Sequence, residues 1–152
     1  MSQRTPANWL GNKSRLAHRI LEHFQPHQTF VEVFGDSAAL LLAKQPSRVE
    51  IYNDLNGELV NFYRVVRDPT QLKRLLRALD LTLYSREEFE LAKLPSAEAV
   101  ESARGLMVRQ RQSFGGLGQH WSYVVTDSCQ HGFLDSPVEG WGGKTGTGPQ
   151  PL

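Results

Sequence analysis

The amino-acid sequence predicts an α/β fold in which a short parallel sheet precedes an all-helical region. Two segments, 29–34 and 48–52, have the length and apolar content of strands, and a helical pattern follows each of them. From Pro69 onward the pattern is helical until the chain becomes rich in glycine after Phe114. Alternating strands and helices pack most simply as a parallel sheet with right-handed crossovers.

The first helix is predicted over residues 14–24, where apolar side chains recur at helical spacing. Ser14 is a plausible N-cap for it, and Pro26 stops it. The other elements follow in chain order as strand 29–34, helix 37–44, strand 48–52, helix 55–67, and helices over 70–79, 85–93 and 97–112. The last dozen residues cannot form a packed element, so we expect them to be disordered.

Length and composition are those of one ordinary domain. The chain has 152 residues, 22% of them charged, and a formal net charge of +1, which gives no support for a disordered chain or for a strongly basic protein that wraps DNA. The basic residues nevertheless cluster at 64–77 and at 104–111. Such clusters are usually solvated helix faces.

Cysteine content and hydropathy limit the classes of protein to which the chain can belong. Cys129 is the single cysteine, which excludes an internal disulfide, and no His/Cys cluster supports a zinc site. The N-terminal segment has no apolar signal core, and the longest apolar run, 38–43, is far too short to cross a bilayer. We therefore expect a soluble cytoplasmic protein.

The turn after the first strand is the first candidate site. In an open parallel sheet, ligands lie beyond the carboxyl ends of the strands, and Gly35 lies at such an end. Asp54 follows the second strand, nineteen positions later, where nucleotide-binding folds place an acid that holds ribose hydroxyls. Two alternatives stay open: Gly35 serves only a turn that needs positive φ, and Asp54 or Asn53 only caps the next helix.

Four segments of the sequence, in order, resemble one enzyme family. They are WLGNKSRLAHRI at 9–20, VEVFGDSAALLL at 31–42, NDLNGELVNFYRVVRD at 53–68 and RQRQSFGGLG at 109–118. Their order and spacing are similar to those of the Dam-type (D12 class) adenine-specific DNA methyltransferases. This resemblance implies a class I S-adenosylmethionine-dependent methyltransferase fold, which is Rossmann-like, and N6-methylation of adenine in DNA.

The resemblance also implies a set of cofactor-binding residues. Aromatic side chains would pack on the adenine and the sulfonium of S-adenosylmethionine, and a carboxylate would hold the ribose. On this mapping the cofactor contacts Trp9, Lys13, Glu32, Phe34, Gly35 and Asp54. Trp9 could instead be a hydrophobic staple for the following helix, and Lys13 a surface cation.

Members of this family carry a helical target-recognition region, and the helical stretch from Pro69 onward corresponds to it. Arg109, Arg111 and Phe114 resemble the family's loop that contacts double-stranded DNA, with arginines on phosphates or guanine edges and an aromatic side chain between bases. Gln110 stands where the family commonly has Asn. The alternative is a helix C-terminus with basic residues favoured by the dipole and a glycine stop.

The sequence departs from the family in two places. The catalytic Asp-Pro-Pro-Tyr string is absent, and with it the later strands, so the parallel sheet is expected to be incomplete. In the glycine turn, Val33 replaces a proline and Asp36 stands where glycine is common. Asp36 could pair with the cofactor's ammonium, repel its carboxylate, or simply cap the next helix, as Ser37 also could.

These patterns predict an N-terminal part of an adenine methyltransferase that is inactive alone, with a second polypeptide as the possible source of the missing half. We divide it into a cofactor-binding part (1–68), a helical target-recognition, DNA-binding region (69–126) and a mostly disordered tail (127–152). The alternative is a non-catalytic remnant that binds DNA or a partner. An unrelated nucleotide-binding module is a third hypothesis.

Overall fold

The computed structural model describes Gly11 and residues 13–122. The order of elements agrees with the predicted β-α-β-α series followed by helices. The elements are α1 (Ala17–Leu21), β1 (Thr29–Glu32), α2 (Ala39–Ala43), β2 (Val49–Tyr52), α3 (Gly57–Arg67), α4 (Pro69–Asp80), α5 (Arg86–Leu91), α6 (Ala99–Arg111) and a 3-10 turn (Phe114–Gly116).

The two strands form a parallel pair, as predicted. Their register runs from Thr29 opposite Val49 to Glu32 opposite Tyr52. Because the strands are parallel and in this register, their carboxyl ends lie side by side. Within the described residues the sheet has only these two strands, so the class I methyltransferase fold stays a prediction.

One face of this sheet is covered and the other is open. Side chains alternate along a strand, and in β1 Phe30 and Glu32 point to the covered face and are buried. On the opposite face, apolar side chains of both strands and of the residue after β1 stay about half exposed: Val31, Val33, Val49 and Ile51.

Helix α2 begins two residues later than the sequence predicts. The reason is the backbone before it, since Asp36 and Ala38 have φ values of 44° and 52°, in the left-handed region. Residues in that conformation cannot belong to a right-handed helix. Helix α1 is also shorter than predicted, with Leu16 at its N-cap and no side-chain cap, so the assignment of Ser14 as the cap is wrong.

The N-caps of the longer helices explain where these helices start. Asn56 accepts hydrogen bonds from the N–H groups of Glu58 and Leu59 (3.0 and 3.3 Å) and caps α3. The interpretation that Asn53 or Asp54 caps this helix is therefore wrong. Asp68 caps α4 in the same way, with Pro69 in the first helical turn.

The hydrophobic core is built mainly by α3, α4 and α6. Its buried side chains are Leu59, Phe62, Val65, Val66, Leu75, Leu79, Val100, Ala103, Leu106 and Met107. Asn61 Nδ2 adds a hydrogen bond of 2.9 Å to the carbonyl of Ala99, which ties α3 to the start of α6. Helix α3 thus connects the strand ends to the helical region.

Several sequence predictions lie outside the described residues. Trp9 and the predicted disordered tail, 127–152, belong to this group, and the domain boundaries at 68 and 126 stay predictions. No helix of the described part is long and apolar enough to span a membrane.

Candidate functional site

The chain segments that follow β1 and β2 run next to each other. Asn53 N donates to the carbonyl of Glu32 (3.0 Å), and Gly35 N donates to the carbonyl of Asn53 (2.8 Å). Asn53 Nδ2 also donates to the carbonyl of Val33 (2.8 Å). These bonds continue the pairing past the strands, so the glycine turn and Asp54 are neighbours.

The carboxylate of Asp54 joins this turn to the start of α3. Its Oδ2 accepts from the N–H of Asp36 at 2.9 Å, and its Oδ1 accepts from the N–H of Asn56 at 2.8 Å. A carboxylate offers about four lone-pair sites, so two of them stay available. Asp54 therefore fixes the geometry of the site and keeps acceptor capacity.

A glycine is required at position 35 because the ring of Tyr52 packs against it, and not because the backbone there has a positive φ. A Cβ at this position would lie 2.2 Å from Cε2 of Tyr52, and Gly35 does not have a positive φ. The interpretation that the turn needs glycine for positive φ is therefore wrong. The tyrosine ring covers the glycine where a ligand was expected to approach the backbone.

Tyr52 is held in that position. Its hydroxyl donates to the carbonyl of Asp36 at 2.9 Å, and its ring lies 4.9 Å from the ring of Tyr63. Burial, followed by the charges of Asp54, Glu32 and Asp36, raises the pKa of Tyr52 well above its usual value. The phenol is thus neutral and is a hydrogen-bond donor at any physiological pH.

The side chain of Glu32 accepts hydrogen bonds from the first turn of helix α2. Its carboxylate accepts from the N–H groups of Leu40 (3.4 Å) and Leu41 (3.0 Å), and its side chain is nearly buried, with the residue 6% exposed. Burial raises the pKa of Glu32, and the two backbone donors and Lys13 oppose that shift. Its carboxylate replaces a conventional cap, since α2 has Ala38 at its N-cap.

Asp36 pairs with Lys13 and does not cap the helix. The distance from Lys13 Nζ to Asp36 Oδ2 is 3.1 Å. The expectation that Asp36 or Ser37 caps α2 is wrong, because α2 has no side-chain cap at its N-cap position and Glu32 binds its first N–H groups. Ser37 is fully buried instead.

Phe34 lies on the same turn and is open to solvent. It is 78% exposed, and Leu55, the residue after Asp54, is fully exposed. The strand ends thus combine an exposed aromatic face, a lysine and three carboxylates. In the part of the chain that the structure describes, no group of three or more side chains could hold a metal ion.

The second predicted site follows α6. Arg109 is mostly internal: it pairs with Glu58 at 2.6 Å and also donates to the carbonyl of Ala92. Its side chain thereby connects α6 to α3 and to the end of α5. Contact with a phosphate would require this ion pair to open, so the DNA role of Arg109 stays a prediction.

Arg111 and Phe114 are freer than Arg109 to contact a ligand. Arg111 is half-buried, burial lowers its pKa, and over residues 13–122 no carboxylate pairs with it. Phe114 is 74% exposed, at the start of a loop in which Gly115, Gly116 and Gly118 have positive φ. A bridge between Ser113 and Trp121 closes the base of this loop.

A cavity of about 410 Å³ lies between this loop, α6 and the start of α3. It is lined by Asn56, Glu58, Leu106, Arg109, Gln110, Gly116, Leu117 and Gly118. The amide of Gln110 is buried, and neither its Oε1 nor its Nε2 has a partner among the described residues. Buried amides normally have partners, so this one is an exception.

The two basic clusters differ in exposure. The first is an exposed helix surface, as expected, and consists of Arg64, Arg67, Lys73, Arg74 and Arg77. In the second, Arg104 is internal and pairs with Glu88 (3.0 Å) and Glu101 (2.6 Å). Only the first cluster is a solvated face.

Comparison with known proteins identifies the family of the chain. The sequence model of the D12 class N6 adenine-specific DNA methyltransferases matches residues 9–105. The chain belongs to this family. A curated relative, the Type II methyltransferase M1.LlaDCHI of Lactococcus lactis subsp. cremoris, is 31% identical over 118 residues, which cover 72% of this chain and 41% of the relative. The chain thus spans about two fifths of that relative's length.

The D12 match contains the strand-end site and ends before the loop. Of the predicted cofactor residues in the described part, Lys13, Gly35 and Asp54 meet around Asp36, Glu32 binds N–H groups in the first turn of α2, and Phe34 is exposed. Lys13 is already paired with Asp36 in this arrangement.

Sequence reasoning missed Tyr52 as a site residue. Tyr52 ends β2 and lies opposite Glu32 in the register. Alignment of the two predicted strand ends would have placed it beside the glycine turn. The sequence marks Asp36 as a departure from the D12 pattern, but its contacts with Lys13, Tyr52 and Asp54 cannot be derived from spacing.

Proposed function

We propose that this chain binds S-adenosylmethionine at the carboxyl ends of β1 and β2 and double-stranded DNA at the loop after α6. The observation that supports this proposal most is that Lys13, Tyr52 and Asp54 all contact Asp36, the residue after Gly35. Membership of the D12 family, whose enzymes are generally dependent on S-adenosylmethionine, supports this placement.

Each part of the cofactor has a candidate partner in the chain. The spare acceptor sites of Asp54 suit ribose hydroxyls, and the exposed ring of Phe34 suits adenine or the sulfonium. Glu32 and Asp36 add negative charge, which favours a cationic sulfonium. Trp9 and Lys13 are proposed as contacts on the family resemblance. When bound, the cofactor supplies a methyl group on a sulfonium that a nucleophile can attack.

Calorimetric titration of the full chain with S-adenosylmethionine tests this site. We expect saturable binding that falls at least tenfold in Asp54→Asn, because the amide loses charge and acceptor capacity. Asp80→Asn, an exposed site on α4, is the matched control and should bind like the wild type. Equal affinity of all three proteins would refute the role of Asp54.

The DNA half of the proposal is supported by the loop itself. Phe114 offers an exposed ring that can stack on a base, and Arg111 is a cation with no ion-pair partner in the described chain. The exposed arginines and lysine of α3 and α4 lie on the same helical core and suit phosphates.

Fluorescence anisotropy with a labelled duplex measures this interaction. Phe114→Ala should weaken binding roughly 5- to 150-fold, the range expected for one stacked base. Arg111→Gln should reduce the slope of log affinity against log salt by about one. Leu81→Ala, another exposed apolar position, is the control. If Phe114→Ala and Leu81→Ala bind alike, the loop is not the contact.

We propose further that this chain alone does not methylate adenine. The sequence has no Asp-Pro-Pro-Tyr string, which in the family holds the amino group and the ring of the adenine. A second polypeptide with that motif would complete the reaction, and the open apolar face at Val31 and Ile51 is a suitable surface for it. Label from tritiated methyl donor in duplex DNA, incubated with this chain alone, would contradict this proposal.

The second candidate function is a non-catalytic remnant that binds DNA or a partner. The specific observation in its favour is that the strand-end site is internally satisfied, with Tyr52 over Gly35 and Lys13 paired with Asp36. Duplex binding without any heat from the methyl donor would support it over the first.

A further inference from the structure

Asp36 is held by three separate contacts at the strand ends. Its backbone N–H donates to Asp54, its carbonyl accepts from the hydroxyl of Tyr52, and its carboxylate pairs with Lys13. Its φ of 44° is unusual for a residue with a side chain. These contacts fix where the carboxylate lies.

In the Lys13–Asp36 ion pair, the carboxylate of Asp36 is bound to Lys13 in the way that a ligand carboxylate would be. The two side chains are 40% and 34% exposed, so the pair borders the open part of the site. An incoming ligand carboxylate would have to displace Asp36 from the ammonium or remain without a counter-ion.

The charges around the Lys13–Asp36 ion pair also disfavour a ligand carboxylate. Asp36 and Asp54 contribute two carboxylates to this group of contacts and Lys13 one ammonium, and the buried carboxylate of Glu32 is close enough to interact electrostatically with Lys13 and Asp36. The balance of two negative charges attracts a sulfonium or an amine and repels a carboxylate. Metal ions are not needed for this effect, since it follows from the side chains alone.

We propose that Asp36 is a specificity-determining residue of the strand-end site: it occupies Lys13 as an internal carboxylate, so that adenosyl ligands ending in an amine bind better than those ending in an amino acid. This rests on the proposed function of that site as an S-adenosylmethionine pocket. The same device explains why a residue with a carboxylate stands where a glycine would suit the backbone.

Calorimetry with two ligands tests the proposal on the full chain. The probes are S-adenosylmethionine and its decarboxylated analogue, which keeps the adenosyl, sulfonium and amine groups. We expect the wild type to bind the decarboxylated analogue at least tenfold more tightly. Asp36→Asn should remove most of this preference, mainly through tighter binding of S-adenosylmethionine to the freed Lys13.

Two further variants keep the result interpretable. Asp36→Gly removes the same carboxylate and suits the positive φ, so it should fold at least as well and lose the preference in the same way. Asp80→Asn changes the net charge equally at a distance and should keep the wild-type preference.

The outcomes separate the two proposals. If both ligands bind the wild type equally, or if Asp36→Asn and Asp36→Gly keep the preference, the role of Asp36 is refuted while the pocket stands. If no adenosyl ligand binds the wild type or either variant, the proposed function of the site fails, and the role of Asp36 fails with it.

Discussion

Substitution of Gly35 by alanine tests the packing that builds the strand-end site. The added Cβ would lie 2.2, 2.5 and 2.8 Å from three atoms of the Tyr52 ring. Carbon atoms prefer about 3.5 Å or more, so the ring would have to move by roughly 1.3 Å. It cannot do so freely, because the ring of Tyr63 and the carbonyl of Asp36 hold it.

The expected cost follows from these contacts. Overpacking of this kind costs about 1–3 kcal/mol, and loss of the tyrosine hydrogen bond to Asp36 adds about 1 kcal/mol. We therefore expect Gly35→Ala to lower the free energy of unfolding by about 2–4 kcal/mol. Urea unfolding of the full chain, followed by circular dichroism, measures this difference.

Two controls show whether the clash is the cause. Gly57→Ala changes another glycine, at the first residue of α3, where nothing lies within 4 Å of the new Cβ. It should be neutral or stabilising, by up to about 1 kcal/mol. Tyr52→Leu should remove most of the cost of Gly35→Ala. A loss below about 0.5 kcal/mol in Gly35→Ala, or no relief by Tyr52→Leu, would refute this account of the turn.

Three further variants test other contacts of the fold by thermal or urea unfolding. Arg104→Lys should cost about 2 kcal/mol, because lysine cannot reach both Glu88 and Glu101; an unchanged melting temperature would contradict this. Gln110→Met should stabilise by about 1 kcal/mol, since it removes a buried amide without partners, and destabilisation would point to an unseen partner. Hydrogen bonding to Lys44 lowers the pKa of Glu50, so this carboxylate stabilises the fold above pH 4.5 and the contribution is lost as the pH falls through its lowered pKa. Glu50→Gln should therefore be less stable than the wild type at pH 7, with a difference that shrinks at acid pH, and a difference independent of pH would disprove the linkage.

The order of elements was predictable because local patterns determine it. Short apolar segments followed by helical spacing identified both strands, and the parallel pair of Thr29–Glu32 with Val49–Tyr52 is confirmed. The family was also predictable from four short segments, of which three lie within the matched residues 9–105.

Details of the turns were not predictable because several residues offer the same chemistry locally. Asn53, Asp54 and Asn56 are all good N-cap residues, and only tertiary contacts assign the cap to Asn56. Asp36 is likewise held in the left-handed region by its contacts with Tyr52 and Asp54, and Ala38 has the same conformation although alanine rarely adopts it.

Long-range pairs limited the prediction of the second site. The spacing of arginines in α6 indicates where they lie on a helix but not what they meet. Arg109 pairs with Glu58, 51 residues earlier in the chain, and the sequence pattern gives no indication of this pairing. The same holds for Gln110, whose burial beside the cavity depends on how α3 and the glycine loop pack against α6.

The most direct test of the central claim is to find where the methyl donor touches the chain. Ultraviolet irradiation of the full chain with radiolabelled S-adenosylmethionine, followed by proteolysis and mass spectrometry, locates the contact. We predict saturable label in the peptides that contain Phe34 or Tyr52, with competition by unlabelled ligand and strong reduction in Asp54→Asn. Label elsewhere in the chain, or label that does not saturate, would contradict a donor site at the carboxyl ends of β1 and β2.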